Sequence, residues 1–160
     1  TGRNVSIEMR AAVSMFGHMG IEMDPRELTD HEYNALKAAI ALHKEHREFI
    51  HAADLYRLDS DDLSINFGLI DEQKSKALFA YNSVRETPRT APNKLRFVGL
   101  NADTQYTLNL VWPVKFEEYR PSSIAAVNGQ TFTGEALMEF GLQMPISFPQ
   151  TSLIFELTKA

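Results

Sequence analysis

The sequence predicts a mostly β protein: an antiparallel β-sandwich preceded by a helix–strand–helix unit. Two observations carry that reading. Over the first third of the chain apolar residues recur at intervals of three and four, with one short alternating run between two such stretches. Beyond Asp54 the period drops to two, and alternating runs follow one another directly.

The first helix is predicted from Val5, Met9, Ala12, Val13 and Phe16, which share one face at helical spacing. Ser6 stands where an N-cap belongs, and Gly17 is placed to end the helix in a left-handed conformation. Gly20-Ile21-Glu22-Met23-Asp24 alternates apolar and acidic side chains and closes at Pro25, which reads as one brief strand. Thr29 with Glu32 three residues on forms a capping box. The second helix then follows through Tyr33, Leu36, Ala39, Ile40, Leu42, His43 and Ile50 and is expected to reach Ala52. Helix, strand, helix is the parts list of an α/β repeat, and a single strand between two helices has no partner of its own.

The remaining strands are expected around Leu55–Leu58, Leu63–Leu69, Ala77–Tyr81, Leu95–Phe97, Tyr106–Trp112 and Leu153–Leu157. Asp71-Glu72, Thr87-Pro88 to Pro92-Asn93, and Asn128-Gly129 supply turn chemistry between them. Gly134 to Gly141 is the exception, because Ala136, Leu137 and Phe140 fit a helical turn better than a strand. The domain boundary is therefore set near Asp54, giving residues 1–54 and 55–160.

Composition narrows the function. The 160 residues carry 16 Lys+Arg against 21 Asp+Glu, a net charge of −5, with 44% hydrophobic residues and no cysteine. A chain of this length hides roughly two-thirds of its unfolded surface and needs neither disulfide nor structural metal to hold a core. The lack of cysteine removes thiolate nucleophiles and Cys-based zinc sites. A pI near 5.5 without a clustered basic face argues against a nucleic-acid partner. No run of about 18 apolar residues is present to span a membrane. The opening Thr1-Gly2-Arg3-Asn4 has neither a Met start nor a signal pattern, so a cut piece of something longer is expected, and its location is expected to be cytoplasmic.

Several side-chain groupings bear on chemistry. His43 and His46, with His51 after them, suggest a metal set. Helical zincin spacing is four with a Glu beside the first His, however, and the run His43-Lys44-Glu45-His46-Arg47-Glu48 reads as a solvated face, with His46 and Arg47 anchoring the helix end to the sheet. His18, in a turn, reads as structural. Glu22 and Asp24 share a strand face, a spacing compatible with a glycosidase carboxylate pair, but Pro25 and Arg26 beside them favour a plain turn. Asp59, Asp61 and Asp62 crowd one loop without the spacing of a calcium-binding EF-hand. Tyr81, Tyr106, Trp112 and Tyr119 could form a sugar platform, although alternating strand positions favour core packing. Neither a G-x-S-x-G elbow nor a phosphate-binding glycine loop occurs.

A family resemblance adds to this. Thr1-Gly2-Arg3, Arg10-Ala11-Ala12 with Phe16-Gly17, Gly20-Ile21-Glu22-Met23-Asp24, Lys44-Glu45-His46-Arg47 and Leu55-Tyr56-Arg57-Leu58 follow in that order. Ala77-Leu78-Phe79, Leu95-Arg96-Phe97-Val98-Gly99-Leu100 and Gly134 to Met144 continue it. Together they resemble the tail of the family 36 glycoside hydrolases, the bacterial α-galactosidases. The resemblance implies that residues 5–17, 20–24 and 29–52 are the seventh helix, eighth strand and eighth helix of a (β/α)₈ barrel, and that a C-terminal β-sandwich follows.

It further implies a parent enzyme that hydrolyses terminal α-galactosides of the melibiose and raffinose type with retention. Its two catalytic aspartates would lie on earlier barrel strands, so no catalytic residue is expected in this chain, and no cofactor or metal. The fragment is expected to be an inactive structural domain that buttresses the barrel, with a homo-oligomer as the expected assembly. A carbohydrate-binding β-sandwich module is the alternative.

Overall fold

The computed structural model describes residues 5–88, 90–115 and 123–160. Helix α1 spans Ile7–Met15, with the Ser6 hydroxyl accepting from the Met9 N–H as its cap. Helix α2 spans Asp30–Ala52 behind a complete Thr29–Glu32 capping box. Strands β1 (Asp54–Arg57), β2 (Ser64–Ile70), β3 (Lys76–Ser83), β4 (Lys94–Leu95) and β5 (Gln105–Trp112) follow. Helix α3 (Ser123–Val127), β6 (Thr131–Thr133), helix α4 (Gly134–Glu139), β7 (Leu142–Gln143) and β8 (Thr151–Lys159) complete the order.

Two expectations for the N-terminal unit fail. Gly20–Asp24 is not a strand, and residues 18–22 have no regular structure. Alternation gives a segment two faces but cannot supply the neighbouring backbone that makes a strand, and this stretch pairs with no other strand among the described residues. Gly17 is not left-handed either. Its N–H bonds the Ser14 carbonyl at 3.3 Å, so the helix closes in a tight turn through Phe16 (φ −84°) that needs no positive φ.

Six strands form one antiparallel sheet in the order β1-β2-β3-β8-β5-β6, and β4 pairs with β7 in a small second sheet. The C-terminal strand β8 thus sits centrally, with Phe155 opposite Phe79 on one side and Leu110 on the other. The sandwich is unequal: a broad sheet faces the β4–β7 ribbon with α3 and α4. Ala77, Phe79 and Tyr81 of β3 and Leu153, Phe155 and Leu157 of β8 point into this core, where Phe97, Tyr106 and Leu137 meet them.

The opposite face of the sheet is covered as well. Leu78 of β3, Ile154 of β8, Leu69 of β2 and Trp112 of β5 pack against Ala11, Ala12 and Met15 of α1 and Ala39 and Ile50 of α2. Ala11 and Ala12, in the middle of the buried side of α1 between Ile7 and Met15, let the helix lie close to the sheet. β3 is consequently buried at every position after Lys76, which is what a strand covered on both faces requires. Gly68 of β2 lies opposite Phe79 in register, and its missing side chain makes room for that ring.

Candidate functional site

The helix α2 histidines diverge. His43 points to α1, its Nδ1 3.3 Å from the Met15 carbonyl, and it meets His51 edge-on at 6.5 Å. His18 stacks on His51 with ring centroids 4.5 Å apart. His46 turns instead onto the sheet and is buried. Its Nδ1 lies 3.0 Å from Lys76 Nζ, and Lys76 in turn pairs with Glu156 at 2.9 Å. Burial, and then the Lys76 charge, hold the His46 pKa below its ordinary value. The neutral ring accepts the lysine proton, so it is an anchor between α2, β3 and β8. Arg47 is exposed, and the expected joint anchoring rests on His46 alone. Among the described residues no group of three His, Asp or Glu side chains could hold a metal ion.

Glu22 and Asp24 do not share a strand face, because residues 20–24 form no strand. Asp24 caps a short 3₁₀ turn over Pro25–Glu27 and receives both the backbone N–H and the guanidinium of Arg26. The Arg26 side chain, followed by its backbone N–H, lowers the Asp24 pKa. Asp24 is therefore held as an ionised acceptor, the wrong form for a general acid. Glu22 is exposed and lines a separate hollow beside Arg10, Met19 and Met23.

The aspartate loop builds a turn and no calcium cage. Asp61 Oδ1 accepts from the Leu63 and Ser64 N–H groups at 2.9 and 2.8 Å, and its Oδ2 accepts from Asn93 Nδ2 at 2.9 Å. Asp62 stands 4.0 Å from Arg85, both well exposed. Both carboxylate oxygens of Asp61 are thus engaged by donors of its own loop and of Asn93.

Nor do the rings form a platform. Tyr106 and Trp112 are fully buried, and Tyr81 is nearly so. The Tyr106 hydroxyl donates to the Lys74 carbonyl at 2.8 Å and accepts from Asn101 N–H at 3.2 Å. Trp112 Nε1 donates to the Glu8 carbonyl at 3.0 Å. Tyr119 lies outside the described residues, as do Thr1–Asn4. Sequence reasoning missed what sits beneath Tyr81: a polar cleft of about 330 Å³ floored by Asn66, which no periodic pattern marks. Val13, Ile21 and Tyr33 of the helical unit are exposed.

Comparison with known proteins gives these parts a common origin. Residues 66–157 match the model of the glycosyl hydrolase family 36 C-terminal domain, and residues 1–53 match the melibiase model. The *Escherichia coli* α-galactosidase is 30% identical over 174 aligned positions, covering 100% of this chain and 24% of its own length. The galactosidase domain of the α-galactosidase–sucrose kinase AgaSK superposes with a TM-score of 0.83 at 23% identity, over 100% of this chain and 20% of that one. A family 36 α-galactosidase AgaA variant from *Geobacillus stearothermophilus*, solved with raffinose, gives 0.81 at 24% identity over 99% of this chain and 20% of its own. These two superpositions speak to the fold. The chain spans about a quarter of the *E. coli* relative and a fifth of the two structures. On the match of its sandwich to the family's own C-terminal domain, the chain belongs to glycoside hydrolase family 36.

Proposed function

We propose that this chain is the C-terminal portion of an α-galactosidase whose complete form hydrolyses terminal α-galactosides of the melibiose or raffinose type with retention. Residues 1–54 are the end of its (β/α)₈ barrel and residues 55–160 its closing β-sandwich. In such an enzyme one carboxylate attacks the anomeric carbon while a second protonates the leaving oxygen and later activates water. Within this chain Asp24 is committed to Arg26 and Asp61 to its own turn, which supports a non-catalytic part for these 160 residues. That part is structural. The observation carrying it is the docking of α1 and α2 on the outer face of the sheet, which joins the barrel end rigidly to the sandwich. The exposed Val13 and Ile21 belong to surface that the complete enzyme or a homo-oligomer covers.

Incubating the 160-residue protein with a chromogenic α-galactoside tests the reading. Release at the rate of buffer alone is expected. Turnover above that rate, retained after repurification, refutes the non-catalytic role.

A further inference from the structure

Asn128-Gly129 forms the turn between α3 and β6, and Asn128 is the one Asn followed by Gly in the 160 residues. Glycine suits this turn because its φ is +78°. It also leaves the main-chain nitrogen after Asn128 unshielded by any Cβ, so that nitrogen can approach the Asn128 side-chain carbonyl carbon. Both residues are exposed. The reading above uses neither of them.

Their hydrogen bonds set what the pair can do. Gly129 N–H donates to the Leu108 carbonyl at 2.7 Å, and Asn128 Oδ1 accepts from Leu110 N–H at 2.7 Å. A main-chain N–H can only donate, so Leu110 fixes the side-chain oxygen toward β5. Thr107 pairs with Thr131, and Leu108 N–H donates to the Gln130 carbonyl at 2.9 Å. The Asn128 side chain therefore carries the β5–β6 ladder one rung beyond the end of β6. That edge is slight, since β6 has three residues and is the last strand of its sheet. Edge segments with few pairs open at low cost, well short of global unfolding. Asn82, followed by Ser83, is the contrast. It is 4% exposed, lies in β3 between β2 and β8, and has its amide tied to the Ile65 carbonyl and the Ser152 hydroxyl.

We propose that Asn128 is a latent deamidation site whose reaction is controlled by the β5–β6 edge. With the edge open, the Gly129 nitrogen gives its proton to hydroxide and attacks Asn128 Cγ. The bond from Cγ to the side-chain nitrogen breaks, and ammonia leaves with a proton from water as a five-membered succinimide closes. Water then adds to one of the two ring carbonyls, and the ring C–N bond at that carbonyl breaks to give aspartate or isoaspartate. The balance is one water consumed and one ammonia released. With the edge paired, Gly129 N–H is committed to Leu108 and the Asn128 side chain to Leu110, so attack requires both bonds to break first. Isoaspartate carries one more main-chain carbon, so both bonds to β5 cannot be remade together and the edge stays open. This site is independent of the parent's activity, and neither conclusion falls with the other.

The test incubates the 160-residue chain and a synthetic peptide of residues 125–132 side by side at mildly alkaline pH, with deamidation located by mass spectrometry of digests. The folded chain is expected to convert at Asn128 about tenfold or more slowly than the peptide, the effect of two hydrogen bonds that must open. Phe132 of β6 packs against the main core, and Phe132→Ala loosens the edge without touching Asn128 or Gly129. It is expected to speed conversion about three- to tenfold in the folded chain, together with amide exchange at Leu110, and to leave the rate in urea unchanged. Should Phe132→Ala fail to fold, the parent chain against the peptide decides alone. A folded rate equal to or above the peptide's, or faster Leu110 exchange in Phe132→Ala with no faster conversion, overturns the proposal.

Discussion

The indole Nε1 of Trp112 donates to the main-chain carbonyl of Glu8 at 3.0 Å, joining residues 104 positions apart in sequence. One sits on β5 and the other in the first turn of α1, so a single bond ties that helix to the sheet. The ring itself is 1% exposed and packs in the core shared by both.

Truncation to Ala at this position is expected to destabilise the chain by about 3–5 kcal/mol, as for other buried aromatic rings. Trp112→Phe keeps most of the packing and leaves the cost nearer the ~0.5–1.5 kcal/mol of one hydrogen bond plus a small cavity. Urea unfolding of the three proteins measures both. An Ala variant within ~0.5 kcal/mol of the parent chain would show that the helices contribute little to the fold.

Gly68→Ala is expected to cost about 1–3 kcal/mol by overpacking. A Cβ there collides with the Phe79 ring and comes 2.9 Å from the Leu78 carbonyl. The ring is fully buried and the carbonyl belongs to a paired strand, so neither yields cheaply. Gly20→Ala is the control, since a Cβ there meets nothing within 4 Å. The comparison is of thermal midpoints, and equal midpoints for the two variants would contradict the steric account.

Stability is expected to fall on mild acidification through His46. Burial and the Lys76 ammonium depress its native pKa from the ordinary 6.5. The unfolded chain then binds the proton more readily, so the contribution is complete above pH 6.5 and is lost as the pH drops through the depressed native value. His46→Gln should flatten the urea midpoint between about pH 5 and 7 while the parent chain declines. A slope identical in both proteins would assign the acid sensitivity to other groups.

What could be read from sequence was whatever is decided locally. Ser6 and the Thr29–Glu32 box satisfy N–H groups within three residues of themselves, and both caps form as expected. The alternating runs gave the major strands because one face of each meets the main core. Leu78 and Ile154, which look like interruptions of that alternation, are the second face, and only the position of α1 and α2 explains them. Strands β6 and β7 have three and two residues, too few to show a period, and the alternation of Leu95 with Phe97 marks β4 although the strand itself is only Lys94–Leu95. Gly20–Asp24 shows the opposite failure: its alternation is regular, yet strand formation depends on a neighbour that alternation does not provide. The same holds at the candidate sites. His46 was legible as an anchor, but its partners Lys76 and Glu156 come from distant strands. Asn66 in the cleft is, with Ser64, one of two polar residues in an otherwise apolar strand, a signal that acquires meaning only once its carbonyl and hydroxyl partners are placed.

Because β3 is wet on neither face and β8 is likewise covered from Ser152 to Phe155, the seam between the two matched family regions, at residues 53 and 66, is not a line along which the molecule can be divided. A protein begun at Asp54 would present Leu69, Leu78, Trp112 and Ile154 as a bare greasy plate, and self-association in solution is its natural fate. Anyone grafting this sandwich onto another scaffold has to carry both helices with it.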